Sequence, residues 1–127
     1  MKLIRFMSKK EFKKYQDGEV LENNKVHDAY TSAVGFCFFN YADYMPNEAY
    51  RFASGIVSDE ICCVFEAERT FLDTCEGTYS DPYTDSKQVD EYFTKHYSKK
   101  DFNLIAVYKC RERVWLRREL ENLNKIY

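Results

Sequence analysis

The chain has little of what most recognisable functional sites require. It contains only 4 glycines and 2 prolines in 127 residues, so it holds no long glycine-rich phosphate loop. It has two histidines, His27 and His96, and no Cys-x-x-Cys pair, so no zinc-binding spacing is present. The common hydrolase, metalloprotease, Walker and double-glycine dinucleotide motifs are missing as well. We therefore predict no metal site.

Net charge and long apolar runs are also lacking. The 19 Lys and Arg residues against 21 Asp and Glu residues give a net charge of −2, which exerts no global pull toward nucleic acid or an anionic membrane. The longest apolar stretches, such as residues 33–39, are far too short to span a bilayer. The first residues, MKLIRFMSKKEF, place charges where a signal peptide needs an apolar segment. We expect a cytoplasmic protein that does not contact a membrane and has no general affinity for nucleic acid.

Cysteine usage agrees with a cytoplasmic location. The number of cysteines is odd, and several lie inside apolar runs, so we expect buried free thiols, with a disulfide or a reactive thiol as the alternative. The five are Cys37, Cys62, Cys63, Cys75 and Cys110.

Aromatic residues are what the sequence has in excess. Phe, Trp and Tyr make up 17% of the chain, and hydrophobic residues make up 45%, which predicts an ordered protein with a core rich in rings. A length of 127 residues is that of one domain. We predict a single compact domain over residues 1–127, with a core in residues 1–110 and a C-terminal helix in residues 111–127.

The order of predicted elements is β-α-β-α-β-β-β-α, which is typical of an α+β domain because helices and strands do not alternate throughout. Ser8 and Glu11 have capping-box spacing and predict a helix that ends at Gly18, and Pro46 begins a second helix. Leu116, Leu120 and Leu123 have helical spacing and predict the third. Strand patterns cover residues 3–7, 31–39, 60–66, 88–94 and 102–109. Residues 77–85 are expected to form a turn-rich connection.

Three residues from separate segments could carry chemistry. Arg5 lies inside the apolar strand LIRFM, where a charge must either extend to solvent or meet an anion. Ser32 stands just before the apolar segment AVGFCFF, and Glu91 lies in the strand pattern VDEYF. The alternative for each residue is structural: Arg5 pairs with an acidic residue such as Glu66, Ser32 belongs to a turn, and Glu91 is a solvated strand position.

This arrangement resembles a small ADP-ribosyltransferase-like domain. Such domains carry an Arg or His on the first strand, a Ser or Tyr at the start of a second core strand, and a Glu on a late strand. The corresponding residues here are Arg5 in LIRFMS, Ser32 in TSAVGF and Glu91 in VDEYF. The pattern E-F-x-x-Y-x-x-G after the first strand and the segment EAYRFA after the serine strand agree with the resemblance, which spans most of residues 3–109.

The resemblance implies a mixed β core with peripheral helices, NAD+ as the cofactor, and either transfer of ADP-ribose to a macromolecular acceptor or cleavage of the nicotinamide glycosidic bond. Arg5 would bind the dinucleotide, and Ser32 would position the ribose. Phe36 and Tyr50 would stack on nicotinamide or shield it. Glu91 would be the catalytic carboxylate that stabilises the oxocarbenium-like charge on the ribose.

The sequence departs from the family pattern at one position. Many transferases have a Gln or Glu two residues before the catalytic Glu, and Val89 stands there in this chain. Because side chains alternate along a strand, only one of Asp90 and Glu91 can face a cleft, and we favour Glu91. The departure leaves the acceptor of the transfer without support.

A second function is open at this point, namely that of a small non-catalytic binding or inhibitor protein, such as a viral counter-defence protein. Tyrosine-rich surfaces suit protein contacts, and the segments 41–45 and 79–85 mix Tyr with Asp. The basic cluster near the C-terminus is either a solvated helix face or a docking surface for a partner or nucleic acid. It comprises Arg111, Arg113, Arg117 and Arg118, interleaved with Glu112, Glu119 and Glu121.

Overall fold

A computed structural model describes residues 1–25, 34–40, 60–80, 88–111, 114–118 and 120. In these ranges the chain forms nine strands, one α-helix and one short 3-10 helix. In chain order they are β1 (Lys2–Met7), α1 (Lys9–Gln16), β2 (Leu21–Glu22), β3 (Phe36–Asn40), β4 (Ile61–Glu66), the 3-10 helix Arg69–Phe71, β5 (Thr74–Ser80), β6 (Gln88–Thr94), β7 (His96–Tyr97), β8 (Asn103–Arg111) and β9 (Val114–Arg118).

Seven of the strands form one sheet in the order β5-β6-β3-β1-β4-β8-β9, and β2 pairs with β7 in a separate two-stranded ladder. Every pairing between described strands is antiparallel. The first strand of the chain is therefore the central strand of the sheet. β1 lies between β3 and β4, with Ile4 opposite Phe39 on one side and Val64 on the other.

The two faces of the sheet bury different sets of apolar side chains. Because side chains alternate along β1, Leu3 and Met7 face one side and Ile4 and Phe6 face the other. We call the first side the helix face, since the α1 side chains Phe12 and Tyr15 belong to the same cluster. The second, the opposite face, is lined by side chains from the strands themselves. A sheet buried on both sides explains why the apolar runs in β3 and β4 do not alternate with polar residues.

The helix face is packed with aromatic rings, which confirms the prediction of a core rich in rings. Tyr97 lies at the centre of this cluster. Its ring centroid is 4.9 Å from that of Phe36, 5.3 Å from Phe38 and 5.4 Å from Phe102, mostly in edge-to-face geometry. The two-residue strand β7 holds this ring in place by pairing with β2.

Helix α1 begins and ends where the sequence predicts. The Ser8 hydroxyl accepts a hydrogen bond from the Glu11 backbone N–H at 3.1 Å, so Ser8 is the N-cap. Gly18 follows with a φ of +79°, a left-handed conformation that glycine adopts without steric cost. The expected capping box is only half formed, because the Glu11 carboxylate does not return to Ser8 and instead bonds other residues described below.

The coarse prediction is confirmed, since the chain is a small single domain that combines a sheet with a helix. The strands predicted at 3–7, 60–66, 88–94 and 102–109 are confirmed, and the β3 part of the strand predicted at 31–39 is confirmed as well. Strand β5 was not predicted, and it occupies the first part of the expected turn-rich segment. The helix predicted from Pro46 lies outside the described residues.

The predicted C-terminal helix is wrong over Val114–Arg118, which form strand β9. Leucine spacing favours a helix, but the β8–β9 ladder pairs Trp115 with Cys110 and buries the indole against the ring of Phe6 at a centroid distance of 5.3 Å. Burial of a Trp side chain outweighs a weak periodicity in leucine. The basic cluster is therefore carried, in part, by an edge strand.

Gly35 allows a test of the close approach between the start of β3 and the backbone of Thr94. Its φ is +107°, and a Cβ added there would overlap the backbone carbonyl of Thr94. We expect Gly35→Ala to lower the free energy of unfolding by about 3 kcal/mol or more, because backbone strain and steric overlap add. Gly18→Ala is the matched control, since it has a positive φ but open space around it, and we expect a loss of about 1 kcal/mol. Denaturant unfolding of both variants measures the difference, and equal losses would contradict the close approach.

Candidate functional site

Arg5 is held by a carboxylate of the neighbouring helix. Its Nε donates to Glu11 Oε2 at 2.6 Å, and its Nη2 donates to Glu11 Oε1 at 2.7 Å, which makes a bidentate ion pair. The remaining nitrogen, Nη1, donates to the Cys37 carbonyl oxygen at 3.1 Å. All three guanidinium nitrogens thus have protein partners. The structural alternative for Arg5 is confirmed, since it pairs with an acidic residue. The example suggested by the sequence, Glu66, is wrong, because Glu66 bonds the amine of Met1.

Tyr97 extends the pair into a network. Its hydroxyl donates to Glu11 Oε2 at 2.6 Å, so one carboxylate oxygen accepts from both Arg5 and Tyr97. Three elements, β1, α1 and β7, meet at this carboxylate. We call these three side chains, Arg5, Glu11 and Tyr97, the buried network.

The guanidinium is also enclosed by aromatic rings. Its central carbon lies 4.8 Å from the ring centroid of Phe36 and 5.7 Å from that of Phe38. Only 14% of the Arg5 side chain and 16% of the Glu11 side chain are exposed, so solvent screens the pair poorly. Burial lowers the pKa of Arg5, but the charge and hydrogen bonds of Glu11 more than offset this and raise the pKa above its usual value. The Arg5 guanidinium therefore keeps its positive charge into the alkaline range.

Glu91 lies on the opposite face of the sheet. It pairs with Phe39 across β3–β6, and Phe39 belongs to the cluster of the opposite face. Its side chain is buried rather than solvated, and its Oε1 accepts a hydrogen bond from the Cys37 thiol at 3.0 Å. Burial, and then the Glu91 carboxylate, raise the pKa of Cys37 well above its usual value, so this thiol is neutral and unreactive.

The expected convergence of Arg5 and Glu91 on one cleft is therefore wrong. Arg5 shares the helix face with Leu3, whereas Glu91 shares the opposite face with Phe39, and the backbone of the sheet separates them. Phe36 does lie beside Arg5, as expected, but it is buried in the aromatic cluster. Ser32 and Tyr50 lie outside the described residues, so their roles stay predictions.

The described residues do not fit an NAD+ molecule held by Arg5 and Glu91 together. A pyrophosphate at Arg5 would have to displace the Glu11 carboxylate or lie against it, and like charges in a buried site repel strongly. A ribose at Glu91 would lie on the other side of the sheet. Arg5 and Glu91 therefore cannot hold one NAD+ molecule between them in the way that the resemblance implies.

Three of the described cysteines confirm the expectation of buried free thiols, whereas Cys110 is free but only partly buried. Cys37, Cys62 and Cys63 are buried and unpaired in disulfides, and burial is the largest cause of the raised pKa of each. His96 is exposed at the protein surface. Among the described residues, no group of three His, Cys, Asp or Glu side chains could hold a metal ion. No helix in the same ranges has the length and apolar character needed to cross a lipid bilayer.

A surface pocket of about 520 Å³ lies at the end of the sheet where β1 begins and β4 ends. Its lining includes three carboxylates and is formed by Met1, Glu66, Ala67, Glu68, Arg69 and Asp101. Arg69 is already engaged, since its Nη1 donates to the Leu72 carbonyl oxygen at 2.8 Å and its guanidinium lies 5.2 Å from the ring centroid of Tyr92. Neither Arg5 nor Glu91 lines this pocket.

Strand β9 forms a different kind of surface at one edge of the sheet. Val114 and Leu116 are about half exposed, at 48% and 47%, while Trp115 between them is buried. Arg117 and Arg118 follow and are exposed. We call the exposed side chains of Val114, Leu116, Arg117 and Arg118 the β9 surface. Sequence reasoning singled out its arginines but placed them on a helix.

Searches of protein families, of curated proteins and of solved structures find no match for this chain. The resemblance to ADP-ribosyltransferase-like domains thus stays a prediction, and function has to be argued from the geometry alone.

The buried network predicts a large stability effect. We expect Arg5→Met to lower the free energy of unfolding by about 3–5 kcal/mol, because it leaves the Glu11 carboxylate buried without its cation. The double variant Arg5→Met/Glu11→Met should recover most of that loss, since it removes both charges. The exposed pair Lys13–Asp17 provides a control, and Lys13→Gln should cost no more than about 0.5 kcal/mol. A double-mutant cycle in denaturant gives the coupling energy, and strictly additive losses would contradict the network.

The tyrosines predict a loss of stability at alkaline pH. Burial raises the pKa of Tyr15 to about 12, and burial with the Glu11 charge raises that of Tyr97 well above its usual value. Raised values favour the neutral phenol in the folded state, so this stabilisation is complete below pH 10, the ordinary tyrosine pKa, and is lost as pH rises toward 12. We expect the unfolding free energy of Tyr97→Phe to fall less steeply over that window than that of the wild type. Parallel curves would show that Tyr97 does not contribute.

Proposed function

We propose that the protein is a small non-catalytic binding protein that acts by protein–protein contact through the β9 surface. The observation that carries this proposal is the pair of half-exposed apolar side chains, Val114 and Leu116, on an edge strand. Single exposed apolar residues are ordinary, but two on the same side of a strand that is at the sheet edge among the described strands form an apolar row available for contact.

The local structure supports a rigid surface for such contact. The β8–β9 ladder runs without a register shift from Val107 opposite Arg118 to Arg111 opposite Val114. Trp115 anchors the strand by packing on Phe6 from the opposite face. A preformed surface loses little conformational entropy on binding, which favours affinity.

The contacts of Arg5 and Cys37 also favour a non-catalytic protein. A cationic site that serves an anionic ligand must leave its charge unbalanced, whereas the charge of Arg5 is already matched by a bidentate pair with Glu11. The neutral, buried Cys37 is likewise unsuited to nucleophilic catalysis. The charges in the interior are thus used for folding, and the charges on β9 are exposed.

The first experiment measures how much partner protein is cross-linked to the wild type and to two matched variants. The chain is expressed in its own source cells with a photo-cross-linker at Val114, and cross-linked products are quantified for the wild type, Leu116→Glu and Val20→Glu. We expect a stoichiometric protein adduct that Leu116→Glu reduces at least tenfold, because a carboxylate in an apolar contact must be desolvated. Val20 is 64% exposed outside the β9 surface, so Val20→Glu should leave the adduct unchanged. The same reduction in both variants would contradict the proposal.

The second experiment addresses the ADP-ribosyltransferase prediction directly. We expect millimolar NAD+ to cause no thermal stabilisation and no release of nicotinamide, because Arg5 and Glu91 face opposite sides of the sheet. A ligand at 100 times its dissociation constant would stabilise the fold by about 2.7 kcal/mol, which a thermal shift detects readily. Nicotinamide release that Glu91→Gln abolishes would overturn the binding proposal and restore the enzymatic one.

A further inference from the structure

We propose that the partner binds by adding an extended strand to β9, and that this strand carries apolar residues opposite Val114 and Leu116 and acidic residues opposite Arg117 and Arg118. This inference rests on the proposed function and specifies the chemistry of the partner. In this mode of binding the backbone of β9 provides hydrogen bonds and its side chains provide specificity.

The backbone of β9 offers the necessary hydrogen-bonding groups. In the described part of the chain β9 pairs with β8 alone, at the end of the strand order. In an antiparallel ladder every second residue directs its N–H and C=O away from the neighbouring strand. Two or three residues of β9 therefore present these groups at the edge, where a further strand can pair with them.

The other edge of the sheet is less suitable. Strand β5 pairs with β6 through a register shift between Cys75 and Gly77, and such irregularities interrupt the regular spacing that a new strand needs. The five pairs of the β8–β9 ladder are in continuous register. Strand addition is accordingly expected at β9.

The side chains of β9 define the composition of the added strand. Leu116 pairs with Lys109, and Arg118 pairs with Val107, whose side chain belongs to the helix-face cluster, so Val114, Leu116 and Arg118 share the helix face. Arg117 pairs with Tyr108 on the opposite face. A partner strand thus meets an apolar row at one end of β9 and a positive charge on each face at the other end.

Charge decides between the possible partners. A second copy paired antiparallel about Leu116 would place its Arg118 opposite Val114 and its Arg117 opposite Trp115, so none of the four guanidinium groups would gain an acidic partner. Nucleic acid would neutralise the arginines but would leave Val114 and Leu116 without an apolar partner. An acidic and apolar protein strand satisfies both halves of the surface.

The test uses a synthetic peptide designed for antiparallel pairing with β9. The probe is acetylated and amidated Thr-Glu-Glu-Val-Thr-Val-Thr, and the charge control has both glutamates replaced by lysine. We expect the acidic peptide to bind the full chain and to protect β9 amides from hydrogen exchange. The lysine peptide should bind at least tenfold more weakly, and added salt should reduce the difference.

Backbone pairing is tested by methylating alternate amides of the probe. Two versions are made, one methylated at odd positions and one at even positions. Only one set of amides points toward β9 in a paired strand, so one version should lose binding at least tenfold and the other should retain it within about threefold. A surface that recognises side chains alone would treat the two versions alike.

Variants of the chain complete the design. Leu116→Glu and the double variant Arg117→Glu/Arg118→Glu should each weaken the acidic peptide at least tenfold, and the double variant should now prefer the lysine peptide. Val20→Glu should change nothing. The inference is overturned if the acidic peptide fails to bind at millimolar concentration, if both methylated versions bind equally, if the chain dimerises through β9, or if an oligonucleotide binds β9 more tightly. Should cross-linking in cells still depend on Leu116 after such a result, the proposed function stands and only strand addition fails.

Discussion

The ion pair between Arg5 and Glu11 is the interaction on which the rest of the described structure depends. It joins the central strand to the single helix of the described residues, and the Tyr97 hydroxyl joins β7 to the same carboxylate. Because a buried guanidinium must be paired, the sequence cannot place Arg5 in a central strand without also supplying an acid on the covering helix. The aromatic cluster then closes around the network and keeps water out of it, which strengthens each of its charged hydrogen bonds.

The geometry of the sheet also explains why Arg5 and Glu91 do not form one site. A strand presents successive residues to opposite faces, so residues that look compatible in sequence meet only if the register places them on one face. Arg5 and Glu91 fail this condition because β3 lies between their strands and pairs Phe39 with both Ile4 and Glu91. Glu91 instead bonds the Cys37 thiol within the opposite face. Ionisable residues on both faces of the sheet are thus engaged in internal contacts, whereas Arg117 and Arg118 of β9 are exposed.

The sequence predicted the elements that local chemistry determines. The N-cap at Ser8 and the stop at Gly18 depend on neighbouring backbone, and the β6 strand depends on a run of residues suited to a sheet, so these could be derived. The strand β9 could not, because a pairing partner rather than periodicity decides its conformation. The role of Glu11 was missed for a related reason: capping-box spacing predicts a bond to Ser8, whereas tertiary structure brings a stronger cation, Arg5, within reach. The sequence did contain one signal for this pair, since Glu11 follows Arg5 by six residues across the turn from strand to helix.

An exposed edge strand creates a conflict that the composition of β9 resolves. Apolar side chains at an edge promote pairing with any other strand, including that of a second copy, and natural sheets suppress this with charge. Arg117 and Arg118 provide such charge in the same strand as Val114 and Leu116. On the proposal above, they gain no counter-charge from an identical edge and attract an acidic one, so the same two residues would disfavour self-association and select the partner. On that proposal, specificity is a difference in free energy between two pairings of β9, and the charges of Arg117 and Arg118 favour the acidic partner.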